Sequence, residues 1–206
     1  MNEVKKFWAN AHKNNERGPL TGTSYNEVMG YFGLSGKINK SMNVLNIGVG
    51  LGYCTRELSK HCNAYALDIC EEAINKVSDC IVKGYLHERL EELPDNHFDI
   101  VYSFLVAPHM PEKDLVKQLV NVVRSLKPNG KFYCHFGGGD DDKENNIPLR
   151  TTGGSHAPFA VQKNGRTIEY AKTLVEANGG KVIFVSGKRH FPVHRCYWYY
   201  FIIQKA

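Results

Sequence analysis

Three glycines at alternate positions, Gly48, Gly50 and Gly52, directly follow the apolar segment 43–47. Glycine in such a turn lets the backbone approach a ligand closely, and a helix that begins there leaves amide groups free to bind polar atoms. Asp68 ends a second apolar segment, and a carboxylate at that place can accept hydrogen bonds from both hydroxyls of a ribose. The two features together indicate a crevice for an adenosine-type ligand.

The spacing of the glycines separates two kinds of adenosine-type ligand. The dinucleotide fingerprint requires its third glycine five positions after the first, and Tyr53 stands there. This argues against a nicotinamide oxidoreductase, which stays open as a competing class. A glycine turn without a ligand, with Asp68 as a helix N-cap, is the alternative without function.

Strands and helices alternate along the chain and must position these residues. The apolar patterns predict strands over 43–47, 63–67, 81–86, 98–104, 131–136, 181–186 and 196–204. They predict helices over 3–14, 24–33, 53–60, 71–79, 112–126 and 167–178. Near-continuous apolar strands separated by helices favour a parallel sheet that is covered on both faces. No helix separates the last two strands, so they are expected to join as an antiparallel hairpin.

Four segments resemble the class I S-adenosylmethionine-dependent methyltransferases. They are 44–52, 66–69, 93–103 and 125–132, and they follow one another at that family's spacing. The Leu-Lys-Pro-x-Gly turn before strand five makes the resemblance specific. It implies an α/β, three-layer Rossmann-like methyltransferase fold with a seven-stranded, mostly parallel sheet in the order 3-2-1-4-5-7-6, strand 7 being antiparallel. The hairpin inferred from the pattern agrees with this independently.

The resemblance also implies how the chain is divided. We expect a single methyltransferase domain over 1–206. Its parts would be an N-terminal helical cap (1–40), a cofactor-binding core (41–136), a substrate loop (137–166) and a C-terminal helix with a hairpin (167–206).

The implied cofactor is S-adenosyl-L-methionine, with S-adenosyl-L-homocysteine as the product. Gly48, Gly50 and Gly52 would line its methionyl and ribose parts, and Asp68 would hold the ribose diol. Around the adenine, the resemblance places Ile69 on the ring face and Arg89 and Leu90 near the amino group. Ser103 and Phe104 would lie beside the sulfonium. Tyr25, with Thr21 and Gly22, would lie above the cofactor, where N-terminal helices cover it.

Asn46 departs from the family pattern. The family usually carries Glu or Asp there, where the acid orients the methionine end of the cofactor. An asparagine can still form hydrogen bonds but brings no charge. The cofactor's ammonium would then be held less strongly, or shared with another group. This departure keeps a non-catalytic cofactor-binding protein open as an alternative.

Three histidines are candidates for the acceptor side. Methyl transfer from a sulfonium is an in-line displacement, and an alcohol or amine acceptor must also lose a proton. Histidine is the natural base near neutral pH. His109 follows strand four, His135 ends strand five, and His156 lies in the long polar segment. We expect His109 and His135 to be catalytic, and all three to contact the substrate.

Other chemistries fit the sequence less well. Ser103-Phe104-Leu105-Val106 stands where enzymes that methylate amino groups of bases or amides carry an Asn-Pro-Pro-Tyr motif. Cys134 lacks the motif of a nucleophilic cysteine and is expected in the core. Asp140-Asp141-Asp142 is expected to be a solvated loop, and Pro192 breaks any helical pairing of His190 with His194. No metal is expected.

Composition limits the choice of compartment and acceptor. The 206 residues are 42% apolar and carry a net charge of +5, which permits an anionic partner without requiring one. Six cysteines without a C-x-x-C pair favour free thiols in a reducing cytosol. With no apolar run for a signal or a membrane span, we expect a cytoplasmic monomer or homodimer. The short insert favours a small-molecule acceptor, such as a sugar or a secondary metabolite. Nucleic acid is a less favoured partner, and an RNA or protein methyltransferase stays open.

Overall fold

The computed structural model describes residues 2–13, 24–139, 147–149, 163–191 and 196–206. Its helices are α1 (Asn2–Lys13), α2 (Tyr25–Tyr31), α3 (Tyr53–Ser59), α4 (Glu71–Asn75), α5 (Glu112–Ser125) and α6 (Ile168–Ala177). Its strands are β1 (Asn43–Ile47), β2 (Asn63–Asp68), β3 (Lys83–Leu86), β4 (Phe98–Ser103), β5 (Leu126–Gly139), β6 (Ile147–Leu149), β7 (Lys163–Gly165), β8 (Gly180–Val185), β9 (Arg189–Phe191) and β10 (Cys196–Lys205). Two short 3-10 helices cover His87–Glu92 and Ala107–His109.

The main sheet has the predicted topology. Its strands are ordered β3-β2-β1-β4-β5-β10-β8, with β9 added against β10. The first five run parallel, and β10 pairs antiparallel with both β5 and β8. Counting β8 as strand six and β10 as strand seven gives the order 3-2-1-4-5-7-6. The order in which strands are added to the sheet reverses beside β1, because β1 pairs with β2 on one side and with β4 on the other.

Helices cover both faces of the sheet, so the fold has three layers. One large apolar cluster joins the sheet to α5 and α6, and a second joins the opposite face to α2 and α3. A smaller cluster lies between α1, α4 and the end of β2. Burying an apolar stripe of each helix against the sheet is what holds these short helices in place. No helix in the described part of the chain is long and apolar enough to cross a membrane.

Local signals set the ends of several helices. Ser24 caps α2 with Glu27 in a reciprocal capping box. The Thr167 side chain accepts a hydrogen bond from the Tyr170 amide at the start of α6. After α6, Gly179 takes a positive φ of 81°, the left-handed conformation in which many helices end.

The structure differs from the prediction in a few elements. Helix α4 ends at residue 75 rather than 79. Strand β5 extends to Gly139 because β10 pairs with it over its whole second half. The predicted loop 137–166 contains a short antiparallel pair, β6 with β7, and β9 was not predicted at all. Such three-residue strands have too little periodicity to be recognised in a sequence.

Gly130 offers a test of the close backbone packing in the first half of β5. A Cβ there would lie 2.6 Å from the Phe98 carbonyl oxygen and 2.9 Å from the Lys127 nitrogen. We expect Gly130→Ala to lower the free energy of unfolding by about 1–3 kcal/mol, because rigid backbone must move to admit the methyl group. Urea titration measures the change. Gly187→Ala is the matched control, since no atom lies within 4 Å of its added Cβ. Equal stability of the two variants would contradict the prediction.

Candidate active site

A crevice that is open to solvent lies at the carboxyl ends of β1, β2 and β4. This is the place where the strand order reverses, and open α/β sheets bind their ligands there. Helix α1 borders it on one side, and the segment from Phe104 to Gln118 on the other. The fold therefore places the glycine turn and Asp68 at one common site.

The glycine turn needs glycine for steric reasons. Gly48, Gly50 and Gly52 all have positive φ, at 84°, 59° and 86°. A Cβ on Gly48 would lie 2.3 Å from Val106 Cγ2, across the mouth of the crevice. Gly48 and Gly50 line the crevice. Gly52 does not. It caps α3, where a Cβ would meet Val77 at 2.7 Å.

Asp68 connects this turn to the second strand. Its Oδ2 accepts a hydrogen bond from the Val49 amide at 2.8 Å, and its Oδ1 accepts one from the Cys70 amide at 3.0 Å. The side chain is 5% exposed and lines the crevice. Burial raises the pKa of Asp68, whereas the amides and the neighbouring His12 oppose that rise. Each oxygen keeps acceptor capacity beyond its amide, so the carboxylate can still receive hydroxyl donors.

Three polar residues that the sequence analysis missed line the crevice near α5. His87, Asp114 and Gln118 are 5%, 8% and 0% exposed. Both ring nitrogens of His87, Oδ2 of Asp114 and both amide atoms of Gln118 find no hydrogen-bond partner among the described residues. Buried polar groups are normally paired, so these atoms suit a ligand that carries donors and acceptors. One signal was available, since Asp114 and Gln118 are spaced by four and flank Leu115 and Leu119 on the buried face of a helix.

Helix α1 contributes two further residues, Trp8 and His12. The rings of Trp8 and His12 stack with centroids 6.1 Å apart, and Trp8 meets His109 edge-on at 5.7 Å. All three line the crevice. The family resemblance implied a cover from the N-terminal segment 1–40, and within the described residues of that segment it is α1 that borders the crevice.

His109 sits on a turn that is fixed by a buried arginine. Arg166 is 1% exposed, and its guanidinium donates to the carbonyl oxygens of Ala107 at 3.1 Å and Met110 at 2.8 Å. The Arg166 carbonyl in turn accepts from the Tyr199 hydroxyl at 2.8 Å. Charge-assisted bonds to two carbonyls hold the His109 turn more firmly than neutral bonds would. The C-terminal hairpin thus helps to position the crevice wall.

Two predicted residues beside β1 and β4 face the protein interior rather than the crevice. Asn46 is 3% exposed and donates from Nδ2 to Thr55 Oγ1 at 2.8 Å. This hydrogen bond links β1 to α3. Ser103 is fully buried outside the crevice lining. Phe104, the next residue, does line it.

Three other predicted cofactor residues also lie outside the lining. Arg89 is largely exposed and faces Glu92. Leu90 is fully buried in the main core. Tyr25 stacks on His61 with centroids 5.2 Å apart, within the cluster under α2. Ile69, by contrast, lines the crevice next to Asp68.

Of the other residues singled out in the sequence, some are buried behind the crevice and some lie outside the described structure. His135 is 1% exposed and stacks on Trp198 at 4.9 Å, with Tyr31 and Phe104 at 5.4 and 5.2 Å. It therefore lies one layer behind Phe104. His156, Thr21, Gly22 and 140–142 lie outside the described residues, as do the side chains of His190 and His194. Cys134 is fully buried, and burial raises the pKa of its thiol, as expected of a core cysteine.

This fold and site define a Rossmann-like domain that binds an adenosine-type cofactor at its switch point. Residues 45–134 match the family model described as a methyltransferase domain. The chain is 31% identical over 106 residues to a sterol 24-C-methyltransferase of Neurospora crassa, covering 46% of this chain and 27% of that protein. It is 26% identical over 119 residues to phosphoethanolamine N-methyltransferase 1 of Triticum aestivum, covering 50% of this chain and 24% of that one.

Among solved structures, it resembles 1,6-didemethyltoxoflavin-N1-methyltransferase of Burkholderia thailandensis, which was crystallised with S-adenosylhomocysteine. The TM-score is 0.70 at 13% identity, covering 98% of this chain and 87% of that one. The chain spans about a quarter of the two curated relatives. Residues 45–134 therefore match a methyltransferase domain, and the fold is that of solved methyltransferases crystallised with S-adenosylhomocysteine.

The buried imidazole of His87 predicts a pH effect on stability. Burial lowers the pKa of His87, with Lys117 acting in the same direction and Asp114 against it. The unfolded chain therefore binds this proton more readily, and stability falls as the pH drops below the ordinary histidine value of about 6.5. We expect His87→Gln to reduce the loss of unfolding free energy between pH 7 and pH 5. Urea titrations at both values measure it.

The control for this measurement is His61→Gln, which removes an imidazole that is 44% exposed. A His87→Gln protein that loses as much stability as the wild type over the same pH interval would contradict the assignment.

Proposed function

We propose that this protein transfers a methyl group from S-adenosylmethionine to an oxygen or nitrogen of a small molecule. The observation that carries the proposal is the meeting of Gly48, Gly50 and Asp68 in one crevice at the switch point of the sheet. Gly48 has no room for a side chain, and the buried carboxylate beside the turn has spare acceptor capacity. This donor and acceptor set fits a nucleoside with a ribose diol.

The residues of the crevice fit the cofactor along its length. Gly48 and Gly50 would lie against its amino-acid and ribose parts, and Asp68 would accept from the ribose hydroxyls. Ile69 would pack against the purine. The polar atoms of His87 and Gln118, which lack partners among the described residues, would pair with the purine edge. When bound, S-adenosylmethionine supplies a methyl group on an electrophilic sulfonium.

His109 is the residue best placed to take the acceptor's proton. It lines the crevice, and its turn is clamped by Arg166. Trp8 and Phe104 on either side present rings that exclude water from the reacting atoms. Because positioning supplies most of the acceleration in such a displacement, the fixed turn matters as much as the base.

His135 belongs to the acceptor side in this proposal as a positioning residue. Its ring reaches the crevice only through Phe104, against which it packs at 5.2 Å. We propose that it sets the orientation of Phe104, and that the acceptor lies on the other face of that ring.

The names of the relatives support a small acceptor. They include a sterol, a phosphoethanolamine and a hydroquinone methyltransferase. These acceptors share small size and differ in chemistry, and the sterol is methylated at carbon, so they favour a small acceptor without selecting the accepting atom or the compound. The aromatic lining of the crevice suits an acceptor with an apolar body.

Asp68 provides the first test of cofactor binding. We expect Asp68→Ala to weaken S-adenosylhomocysteine binding by roughly 1.5–3 kcal/mol, the contribution of hydrogen bonds to a charged group. Isothermal titration calorimetry measures it. Asp68→Asn keeps one acceptor for the Val49 and Cys70 amides and guards against loss of folding. Asp79→Ala, an exposed carboxylate paired with Arg56, is the control. Unchanged affinity in both Asp68 variants would remove this residue from the ribose site.

His109 provides the test of catalysis. We expect His109→Ala to lower methyl transfer by about 100-fold or more, the usual share of a general base, while S-adenosylhomocysteine affinity barely changes. Transfer of labelled methyl from the cofactor into a metabolite extract measures turnover. His61→Ala, at an exposed position, controls for loss of a histidine. Full turnover in His109→Ala would show that another group, or the solvent, takes the proton.

A further inference from the structure

Three side chains of different chemistry meet where α1 packs over the end of β2. A ring nitrogen of His12, a carboxylate oxygen of Asp68 and the sulfur of Cys70 all lie within 4.8 Å of one another. The residues are 3%, 5% and 0% exposed. His12 and Asp68 line the crevice, and Cys70 stands directly behind them at the start of α4.

The hydrogen bonds at this cluster leave capacity for a ligand. His12 Nδ1 is buried and finds no hydrogen-bond partner among the described residues. Asp68 accepts the Val49 amide through Oδ2 and the Cys70 amide through Oδ1, with the Gly50 amide also directed at it, and a carboxylate offers about four lone-pair sites in all. The Cys70 thiol has one weak contact, to the Lys5 carbonyl oxygen at 3.5 Å. A buried polar atom without a partner is costly, so a group that pairs with it is favoured there.

The charged groups near the cluster do not oppose a cation as a set. Glu72 in α4 and Lys76 at its C-cap lie near His12 with opposite charges. A thiol that coordinates a dication is deprotonated outright, so Cys70 can serve as a thiolate ligand.

The donor set selects the kind of cation. One nitrogen, one oxygen and one sulfur are the ligands of zinc and related borderline-soft metals, whereas magnesium and calcium prefer oxygen alone. In a tetrahedral zinc site the ligand atoms lie roughly 3.3–3.8 Å apart. The three donor atoms of this cluster lie within 4.8 Å of one another. Three protein ligands would leave the fourth position facing the crevice.

We propose that His12, Asp68 and Cys70 form a binding site for a thiophilic divalent cation such as Zn²⁺, and that the bound ion excludes the cofactor's ribose from Asp68. On binding, the S–H bond of Cys70 breaks, a sulfur–metal bond forms, and the proton passes to the solvent without any change of oxidation state. The exclusion of ribose rests on the proposed function, whereas the metal site does not.

Zinc binding by the full chain tests the site. In a competition titration against a chromophoric chelator, we expect one Zn²⁺ per wild-type chain. Loss of outer-shell partners alone costs 10–100-fold, so Cys70→Ser and His12→Gln, which remove direct ligands, should weaken binding by roughly 100-fold or more. Serine is a favoured N-cap, so Cys70→Ser should keep α4 intact. Cys80→Ser, at a half-buried thiol bonded to the Val77 carbonyl, is the matched control and should bind as the wild type does.

Cobalt binding gives an absorption that requires a metal–sulfur bond, so a purely structural effect of the substitution would not change it. Co²⁺ bound to the wild type should show a thiolate-to-metal charge-transfer absorption, which Cys70→Ser abolishes and Cys80→Ser preserves. Wild-type zinc affinity in Cys70→Ser, or an absorption that persists in it, would overturn the site.

Competition with S-adenosylhomocysteine tests the exclusion. Its apparent affinity should fall in proportion to free zinc for the wild type and stay constant for Cys70→Ser. Unchanged affinity at saturating zinc would overturn the exclusion while leaving the metal site. A zinc-free protein that does not bind S-adenosylhomocysteine would contradict the proposed function instead, so the two failures are distinguishable.

Discussion

The Asp68 carboxylate joins the two turns that form the central crevice. It accepts one amide from the turn after β1 and one from the turn after β2, at 2.8 and 3.0 Å. These two bonds fix the relative position of the two turns from which the crevice is built. Because the carboxylate is almost fully buried, its desolvation must be offset, and the amides together with His12 do this. In the proposed function the same group would serve both folding and ligand binding.

The sheet was predictable because its central strands are continuously apolar. Strands β1 and β4 are buried on both faces, and such strands differ clearly from the amphipathic helices between them. The antiparallel position of β10 followed from the absence of a helix before it. The extension of β5, the strand β9 and the β6–β7 pair depend on partners distant in sequence, and no local pattern encodes them.

The site was predictable only where backbone conformation fixes the residue type. Gly48 and Gly50 lie in the crevice because positive φ demands glycine, and Asp68 lies there because it ends a strand next to that turn. Arg89 and Leu90 were placed near the cofactor by alignment across a segment that forms a 3-10 helix. In the structure it is His87, two residues before Arg89, that lines the crevice. Trp8 and His12 reach the crevice through the packing of α1 on α4, which is a tertiary contact without a local signature.

The crevice contains buried polar atoms that find no hydrogen-bond partner among the described residues, and their arrangement indicates a ligand site rather than a packing defect. A core could bury apolar residues in place of His87, Asp114 and Gln118 and gain stability, because buried polar atoms without partners each cost about 1–3 kcal/mol. They cluster along one crevice together with His12, whereas most other buried polar side chains are bonded within the fold, as Asn46 is to Thr55. Groups that are costly to the free protein but adjacent to one another become favourable when a single ligand pairs with several of them. The cost in the free protein and the affinity for the ligand thus have one physical origin.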